Sequence, residues 1–469
     1  MQTIMPKKLN LFLASITIFQ LCNHSSYAQV IPEKKFTKTN SPVFLVNGFF
    51  NVSAGKSNQN RAFEKNYLPD GITKNHFNNS QSIGNDTQIY LKSGIMTESK
   101  TKYGAVAKFE YNYNTNHNRE NPNLDSAFIY QENNFGKFEF GNNKAVNQQM
   151  KLGPARFARG AGGINGKYLE YINLSAITSC LGANCSNVKL PQFILLAQSP
   201  IGHGGYAQGN LYDANGTNQF NRSRFRALKD DSFDGAEDAT KLSYFSPRIE
   251  GAQLGISYTP NTQNQGVTAN TNYNLSSIRI EDVFSLGFNY SADFDNIGFG
   301  FSATAEKGTS KNYSANQAPR NNLFAYDLAT TITYFGFTFG ASYGSWTNSL
   351  QQKSGIYSCN YNSNLNLMDQ NCGNSTKKFS DPKYYTAGIA YEIGPMAASI
   401  TGIKTQFQNN NYQAISFGLD YKYKKDLMPY IELTKFAFTS NQVKAADINQ
   451  RQIADNSGFV LLTGILLSF

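Results

Sequence analysis

Past residue 28 the chain has no apolar run near the roughly 18 residues that a membrane-spanning helix requires, which excludes a helical membrane protein. Histidine is scarce: there are four in 469 residues, and only His76, His117 and His203 lie beyond the N-terminal segment, all in stretches that read as loops or turns. Chemistry that needs a histidine base, or an H-E-x-x-H zinc motif, has no footing here, and no enzyme is expected. Charge is also sparse, at 16% of residues, and 42 Lys plus Arg against 32 Asp plus Glu leave +10 without long blocks of one sign. Tryptophan occurs once. Yet 28 Tyr and 35 Phe bring the aromatics to 14%, a composition that favours strands over helices. With a mean hydropathy of -0.44, a membrane role would require a barrel.

Residues 1–28 read as a secretory signal. Lys7 and Lys8 precede the apolar run Leu9 to Cys22, and Ser26-Tyr27-Ala28 supplies small residues before a cut at Gln29. Leu21 before Cys22 argues against lipoprotein processing, which needs a small residue there. Residues 29–41 form a polar periplasmic lead-in, and 42–469 the main body. Cysteine is limited to five residues. Beyond Cys22 they are Cys180, Cys185, Cys359 and Cys372, two close pairs in polar segments of an exported chain. Two local loop disulfides are the reading. No histidine flanks either pair and the spacing matches no zinc pattern, so neither a metal nor a cofactor is expected.

What is abundant is alternation. Ile415, Phe417, Leu419, Tyr421 and Tyr423 oppose Ser416, Gly418, Asp420 and Lys422, one face fit for lipid and one for water. Ala105, Ala107 and Phe109 oppose Lys108 and Glu110 in the same way, and similar segments of about ten residues follow to the chain's end. Short turns fall near Asn133-Asn134, Ile201 to Gly204, Pro247 to Gly251, Asp293 to Asn296, Gly394-Pro395 and Lys424 to Asp426. Long polar loops lie between them, roughly at 56–85, 142–189, 214–238, 261–280 and 345–382, longer than compact soluble domains tolerate. Trim turns at one end and long loops at the other predict an all-β transmembrane antiparallel barrel of 16 to 18 strands, with a tally nearer about eighteen. Gln198–Tyr212 and Phe245–Tyr258 both read strand, Ser-Pro, turn, Gly, strand, Tyr, and are expected to be two ordinary hairpins. The last strand, SGFVLLTGILLSF, ends on Phe469 and should pair with the first to leave no edge. Its inward face, with Val460, Leu462 and Leu466, is less polar than a wet lumen asks for and should pack on a loop or on the first strand's side chains.

Between Lys144 and Lys167 the chain carries Lys144, Lys151, Arg156, Arg159 and Lys167 with no acidic residue, and Gly160, Gly162, Gly163 and Gly166 loosen the backbone. Such a segment lines a channel rather than a core. A second basic group, Arg222, Arg224, Arg226 and Lys229, is followed at once by Asp230, Asp231, Asp234, Glu237 and Asp238; it reads as a solvated loop, fits no calcium motif, and suits no nucleic acid.

Three stretches carry a family resemblance: LSYFSPRIEGAQLGISYTP from Leu242, FGKFEFGNNKAV from Phe135, and GFVLLTGILLSF at the end. With them the chain resembles the general porins of Gram-negative outer membranes, closest to the alphaproteobacterial type. The resemblance implies a homotrimer of barrels among outer-membrane lipids, a third loop folded inward to constrict each pore, passive diffusion of small hydrophilic solutes and ions, and recognition of the last strand by the barrel-assembly machinery. The chain departs from the pattern in its higher strand tally and in a longer third loop bearing Cys180 and Cys185.

In such a barrel Lys92, Lys108, Glu110, Lys137, Glu139, Lys241, Asp327, Asp420, Lys422 and Glu432 should face the lumen, with mixed sign and a weak field. The unbalanced loop cations would then favour anions mildly, with Arg156 and Arg159 foremost. If those side chains turn elsewhere, the preference is lost. Two other readings stand beside a diffusion pore: a substrate-specific channel, and a structural or adhesive outer-membrane barrel.

Overall fold

A computed structural model describes residues 39–59, 81–112, 124–172, 176–180, 192–198, 206–208, 210–213, 239–262, 279–311, 321–349, 381–407, 410–424, 426–439, 452–453 and 455–469. Residues 1–28, Cys185, Cys359, Cys372, the three histidines past residue 28 and the second basic group lie outside them.

Sixteen antiparallel strands close into one barrel in chain order. They are β1 (Thr39–Gln59), β2 (Gln81–Met96), β3 (Lys102–Asn112), β4 (Leu124–Asn133), β5 (Gly136–Asn142), β6 (Thr240–Phe245), β7 (Ala252–Asn261) and β8 (Arg279–Phe294). The remainder are β9 (Ile297–Lys311), β10 (Leu323–Tyr334), β11 (Phe337–Ser345), β12 (Lys383–Ile393), β13 (Met396–Phe407), β14 (Asn410–Tyr421), β15 (Leu427–Thr439) and β16 (Asn456–Ser468). β1 starts at Thr39, three residues inside the segment read as lead-in.

The alternation in the sequence becomes two faces. Ile415, Phe417, Leu419 and Tyr421 are exposed on the outside of β14, while Ser416 and Asp420 between them are buried inside. The same outward apolar band runs through Leu254 and Ile256 of β7, Phe337 and Phe339 of β11, and Ile431 and Leu433 of β15. In water that band would be a liability; against lipid hydrocarbon it is the surface required.

Closure is made by β16 on β1, with Phe49 opposite Ser468 and Gln59 opposite Gly458. At the seam the Gly48 N–H donates to the Phe469 carbonyl at 3.0 Å, the Phe469 N–H donates to the Gly48 carbonyl at 3.1 Å, and the Phe469 ring stacks on Phe50 at 5.5 Å. No strand edge is left open in the wall, as a membrane interior demands.

One end of the barrel carries only tight turns, including Phe335-Gly336 between β10 and β11, where both residues hold positive φ (45° and 81°). That mirror-image two-residue turn matches strand twist, but a bulky Phe in it gives no turn signal in the sequence.

The strand tally of about eighteen is corrected to sixteen. The excess came from reading Gln198–Tyr212 as a wall hairpin. Gln192–Ile194 instead pairs antiparallel with Tyr206–Gln208 in a separate two-stranded sheet, and Asn210–Asp213 runs parallel to Ala176–Cys180 in another. The physical reason lies in Phe193, Ile194, Leu195, Leu196 and Ala197, which are all buried in succession. A wall strand must alternate, whereas a run buried on both sides has protein all round it. The proposed turn at Ile201 to Gly204 falls outside the described residues.

Candidate pore-lining site

Residues 143–172, between β5 and β6, form a belt against the inside of the wall. Its start is held by Glu139, whose carboxylate accepts from Asn143 Nδ2 at 2.8 Å and Gln149 Nε2 at 3.0 Å while pairing with Lys137 at 2.7 Å. Lys241 donates to the carbonyls of Asn143 and of Ala239. One helical turn follows, α1 (Val146–Gln149), in which the Val146 N–H bonds Ser257 Oγ on β7 and Asn147 bonds Glu306 on β9.

The belt lies close where the wall beneath it is glycine. A Cβ on Gly255 or Gly287 would meet Met150 Sδ at 2.5 and 2.7 Å, one on Gly340 would meet the Phe157 ring at 2.7 Å, and one on Gly418 would meet Ala158 Cβ at 2.9 Å. Gly255 and Gly287 are cross-strand partners, as are Gly340 and Gly388, where Pro154 sits. The result is a circumferential track that side chains of the belt fill.

Wall carboxylates hold the belt's backbone. Asp420 on β14 accepts the N–H groups of Arg159 at 2.9 Å and Gly160 at 3.0 Å; Glu432 on β15 accepts that of Gly163 at 2.9 Å and the Thr434 hydroxyl at 3.2 Å. Asn51 on β1 donates to the Gly160 carbonyl at 2.9 Å and accepts the Tyr430 hydroxyl at 2.8 Å. Gly162 and Gly163, at φ 94° and 58°, turn the chain between these contacts, which few other residues could do.

The loop cations find acidic partners on the wall. Lys151 pairs with Asp327 on β10 at 3.0 Å and donates to Tyr384 Oη at 2.6 Å, and Tyr384 in turn donates to Asp327 at 2.7 Å. Arg159 pairs with Glu392 at the end of β12. Lys167, only 3% exposed, lies 3.9 Å from Asp86 on β2; burial pushes its ammonium below the ordinary lysine value, against the pull of Asp86 and Glu170. Lys144 sits half-buried before α1, and Arg156 closes a 3-10 turn at Pro154–Arg156. Nine of the ten expected lumen residues lie on inward-facing strand positions, and Lys422, past the end of β14, does not. Lys108, Glu139, Lys241, Asp327, Asp420 and Glu432 are buried, Lys92, Glu110 and Lys137 are half-buried, and Lys422 is exposed just beyond β14. Lys108 bridges Asp125 at 2.7 Å and Glu110 at 3.4 Å.

A second layer sits on the belt. Phe193 meets Phe438 edge-on at 5.0 Å, Phe438 stacks on Tyr412 at 4.7 Å, and Trp346 packs on Phe407 at 5.7 Å. Val460, Leu462 and Leu466 join the same cluster, which accounts for the apolar inward face of β16.

Sequence reasoning missed the glycine track, the wall acids that pair with the belt, and the buried run at Phe193. The uninterrupted apolar string FILLA was the available signal for the last. It also passed over Gly340-Ala341-Ser342-Tyr343-Gly344, which satisfies the G-x-S-x-G pattern of hydrolases. Here the string lies inside the strand β11, and Ser342 Oγ is bonded to Thr386 Oγ1 at 2.5 Å; the strand-turn-helix elbow that exposes a nucleophile is lacking.

A family model described as Gram-negative porin matches residues 71–441. The chain belongs to the Gram-negative porin family. An uncharacterized protein of Rickettsia bellii is 25% identical over 505 residues, covering 98% of this porin and 99% of the relative. An uncharacterized protein of Rickettsia typhi is 25% identical over 427 residues, covering 80% and 84%. Among solved structures, the anion-selective porin from Comamonas acidovorans is 13% identical with a TM-score of 0.49, covering 92% of this chain and 100% of that one. A triple mutant of the Rhodopseudomonas blastica porin is 12% identical with a TM-score of 0.47, covering 91% and 100%. Family and fold support a porin-type outer-membrane channel.

Proposed function

We propose that this porin passes small hydrophilic solutes and ions by passive diffusion through a water-filled bore that the belt narrows. The observation that carries the reading is the belt itself, fixed by its backbone to Asp420 and Glu432 inside a barrel whose outside is apolar. A fixed constriction in a closed barrel suits a pore open at rest. The belt's own charge, five basic residues against Glu170, gives 5 - 1 = +4. Pairing of Lys151, Arg159 and Lys167 with wall acids offsets most of it, so the proposed anion preference is small. Export through a cleaved residue 1–28 signal, a homotrimer, disulfides at Cys180-Cys185 and Cys359-Cys372, and recognition of the Phe469 strand during assembly belong to the same proposal.

A second reading, a solute-guiding channel, draws on the ammonium groups of Lys92 and Lys108, which lie 5.7 and 6.0 Å from the Tyr90 ring centre, and of Lys137, 5.4 Å from that of Tyr130. Planar-bilayer recording separates the two. Ohmic steps with a reversal potential only slightly toward anions support diffusion, block that saturates with a sugar or phosphate supports guiding, and no conductance leaves a structural or adhesive barrel.

A further inference from the structure

The large apolar cluster takes wall residues from β1, β10 and β12–β16, with Trp346 just past β11, one contiguous half of the barrel. Phe49, Ala325, Trp346, Tyr384, Ile403 and Phe438 represent that half, and among the described residues no member comes from β2–β9. We infer that the segment Phe193–Ala197, rather than the basic belt alone, sets how much of the bore is open, and that solutes cross along the wall of β2–β5. The inference rests on the porin reading and specifies its path.

A sixteen-stranded wall encloses more space than its own side chains can fill. On the β10–β1 half that space is taken up in two layers. Phe193 and Ile194 are fully buried and Leu195 is 1% exposed, so neighbouring side chains that point in opposite directions both meet protein. Water has no room between the belt and this segment. The segment is also clamped on every side. Thr405 Oγ1 donates to the Ile194 carbonyl at 2.8 Å, Trp346 Nε1 to the Gln198 carbonyl at 3.1 Å, Lys151 Nζ to the Ala197 carbonyl at 2.6 Å, and the Ala197 N–H donates to Asn165 Oδ1 at 3.1 Å. Wall and belt thus hold it jointly, as a fixed filling rather than a lid.

The opposite sector is polar where this half is apolar. Inward Tyr90, Lys92, Tyr130 and Lys137 are half-buried, Asp86, Gln88, Lys108, Asp125 and Glu139 beside them are buried, and charges there come in opposed pairs, Lys102 with Glu132 at 3.3 Å and Lys137 with Glu139 at 2.7 Å. A path with balanced charge and aromatic faces suits small polar solutes of either sign. It also fits a basic belt that leaves the current only weakly selective: the belt's cations Lys151 and Arg159 pair with β10 and β12, away from the path, and Lys167, on the path side, is buried beside Asp86 of β2.

The test is thiol accessibility in the full-length porin. Single channels of Lys92→Cys and Tyr130→Cys on one side, and Thr386→Cys and Thr434→Cys on the other, are exposed to a water-soluble methanethiosulfonate, with reagent-treated wild type as baseline for the native cysteines. Stepwise loss of conductance at 92 and 130, none at 386 and 434, and new reactivity at 434 once Phe193→Ala is added are the expected results. Equal reactivity in both sectors, or reaction at 434 alone, overturns the inference. If wild type carries no current, the porin reading itself fails; mass-spectrometric labelling in liposomes then still reads which half of the bore is filled, by the same criterion.

Discussion

The carboxylate of Asp420 accepts the backbone N–H of Gly160, a residue 260 positions earlier in the chain, at 3.0 Å. Because the neighbouring Arg159 N–H enters the other carboxylate oxygen at 2.9 Å, one wall residue fixes two consecutive peptide groups of the belt. Burial of both partners makes that fixture hard to replace by water.

Asp420→Leu should therefore leave two buried donors unpaired, at about 1–3 kcal/mol each. Asp420→Asn keeps one carbonyl acceptor and should cost less. Thermal unfolding of the refolded protein ranks the pair, and single-channel noise should rise in the Leu variant as the belt loosens. Equal behaviour of Leu, Asn and wild type would show that the belt is held elsewhere.

Filling the glycine track should be costly in proportion to what lies above it. Gly418→Val places atoms where Ala158 already sits, an overpacking of about 1–3 kcal/mol. Gly402→Ala, on the outer face of β13, is the control, since its nearest neighbour is Ile415 of β14 at 3.6 Å. The heat-induced mobility shift on gels should fall to lower temperature for the first and stay in place for the second.

Lys151 and Asp327 form a buried pair that Tyr384 completes. Lys151→Met alone strands a buried carboxylate and should destabilise by about 3–5 kcal/mol, whereas Lys151→Met with Asp327→Leu should recover a large part of that loss. A double-mutant cycle from denaturant unfolding measures the coupling. Additive losses would mean that the two side chains do not depend on each other.

Removal of Phe469 deletes the Phe50 stack and the reciprocal bonds to Gly48 at the seam. The expected outcome is a lower yield of folded barrel in detergent refolding, with Phe469→Tyr near wild type because it keeps a ring and the backbone. A truncated chain that refolds at full yield would assign closure to the remainder of β16.

Much of the wall was legible. Alternation such as Ile415 to Tyr421 depends on nearest neighbours in the chain, and the alternating Phe459, Leu461, Ile465 and Leu467 mark the strand that pairs with β1. Among the described residues the turns near Asn133-Asn134, Pro247 to Gly251, Asp293 to Asn296 and Gly394-Pro395 appeared as read, while Phe335-Gly336 gave no signal, because its φ values are imposed by strand twist on a residue that usually avoids them. The belt was visible as a basic, glycine-rich segment, but its electrostatics were not. Which carboxylate faces Lys151 or Arg159 is decided by barrel register, and Asp327 is 176 positions from Lys151 (327 - 151), with Glu392 farther still from Arg159. The two extra strands in the tally arose from the same limit. A Ser-Pro hairpin string fits either a wall or an internal sheet, and only the unbroken burial of Phe193 to Ala197 separates the two.

The belt's contacts run from Ser257 on β7, through Asp420 and Glu432, to Asn51 on β1 and Asp86 on β2, most of the way round the circumference. Mechanically, such a segment is an internal hoop. Lateral pressure from the bilayer that would flatten the cylinder into an ellipse must stretch or slacken a strap tied to the wall at many angles, so the cross-section is stiffened from within and the wall strands themselves can stay thin and smooth where the lipid touches them.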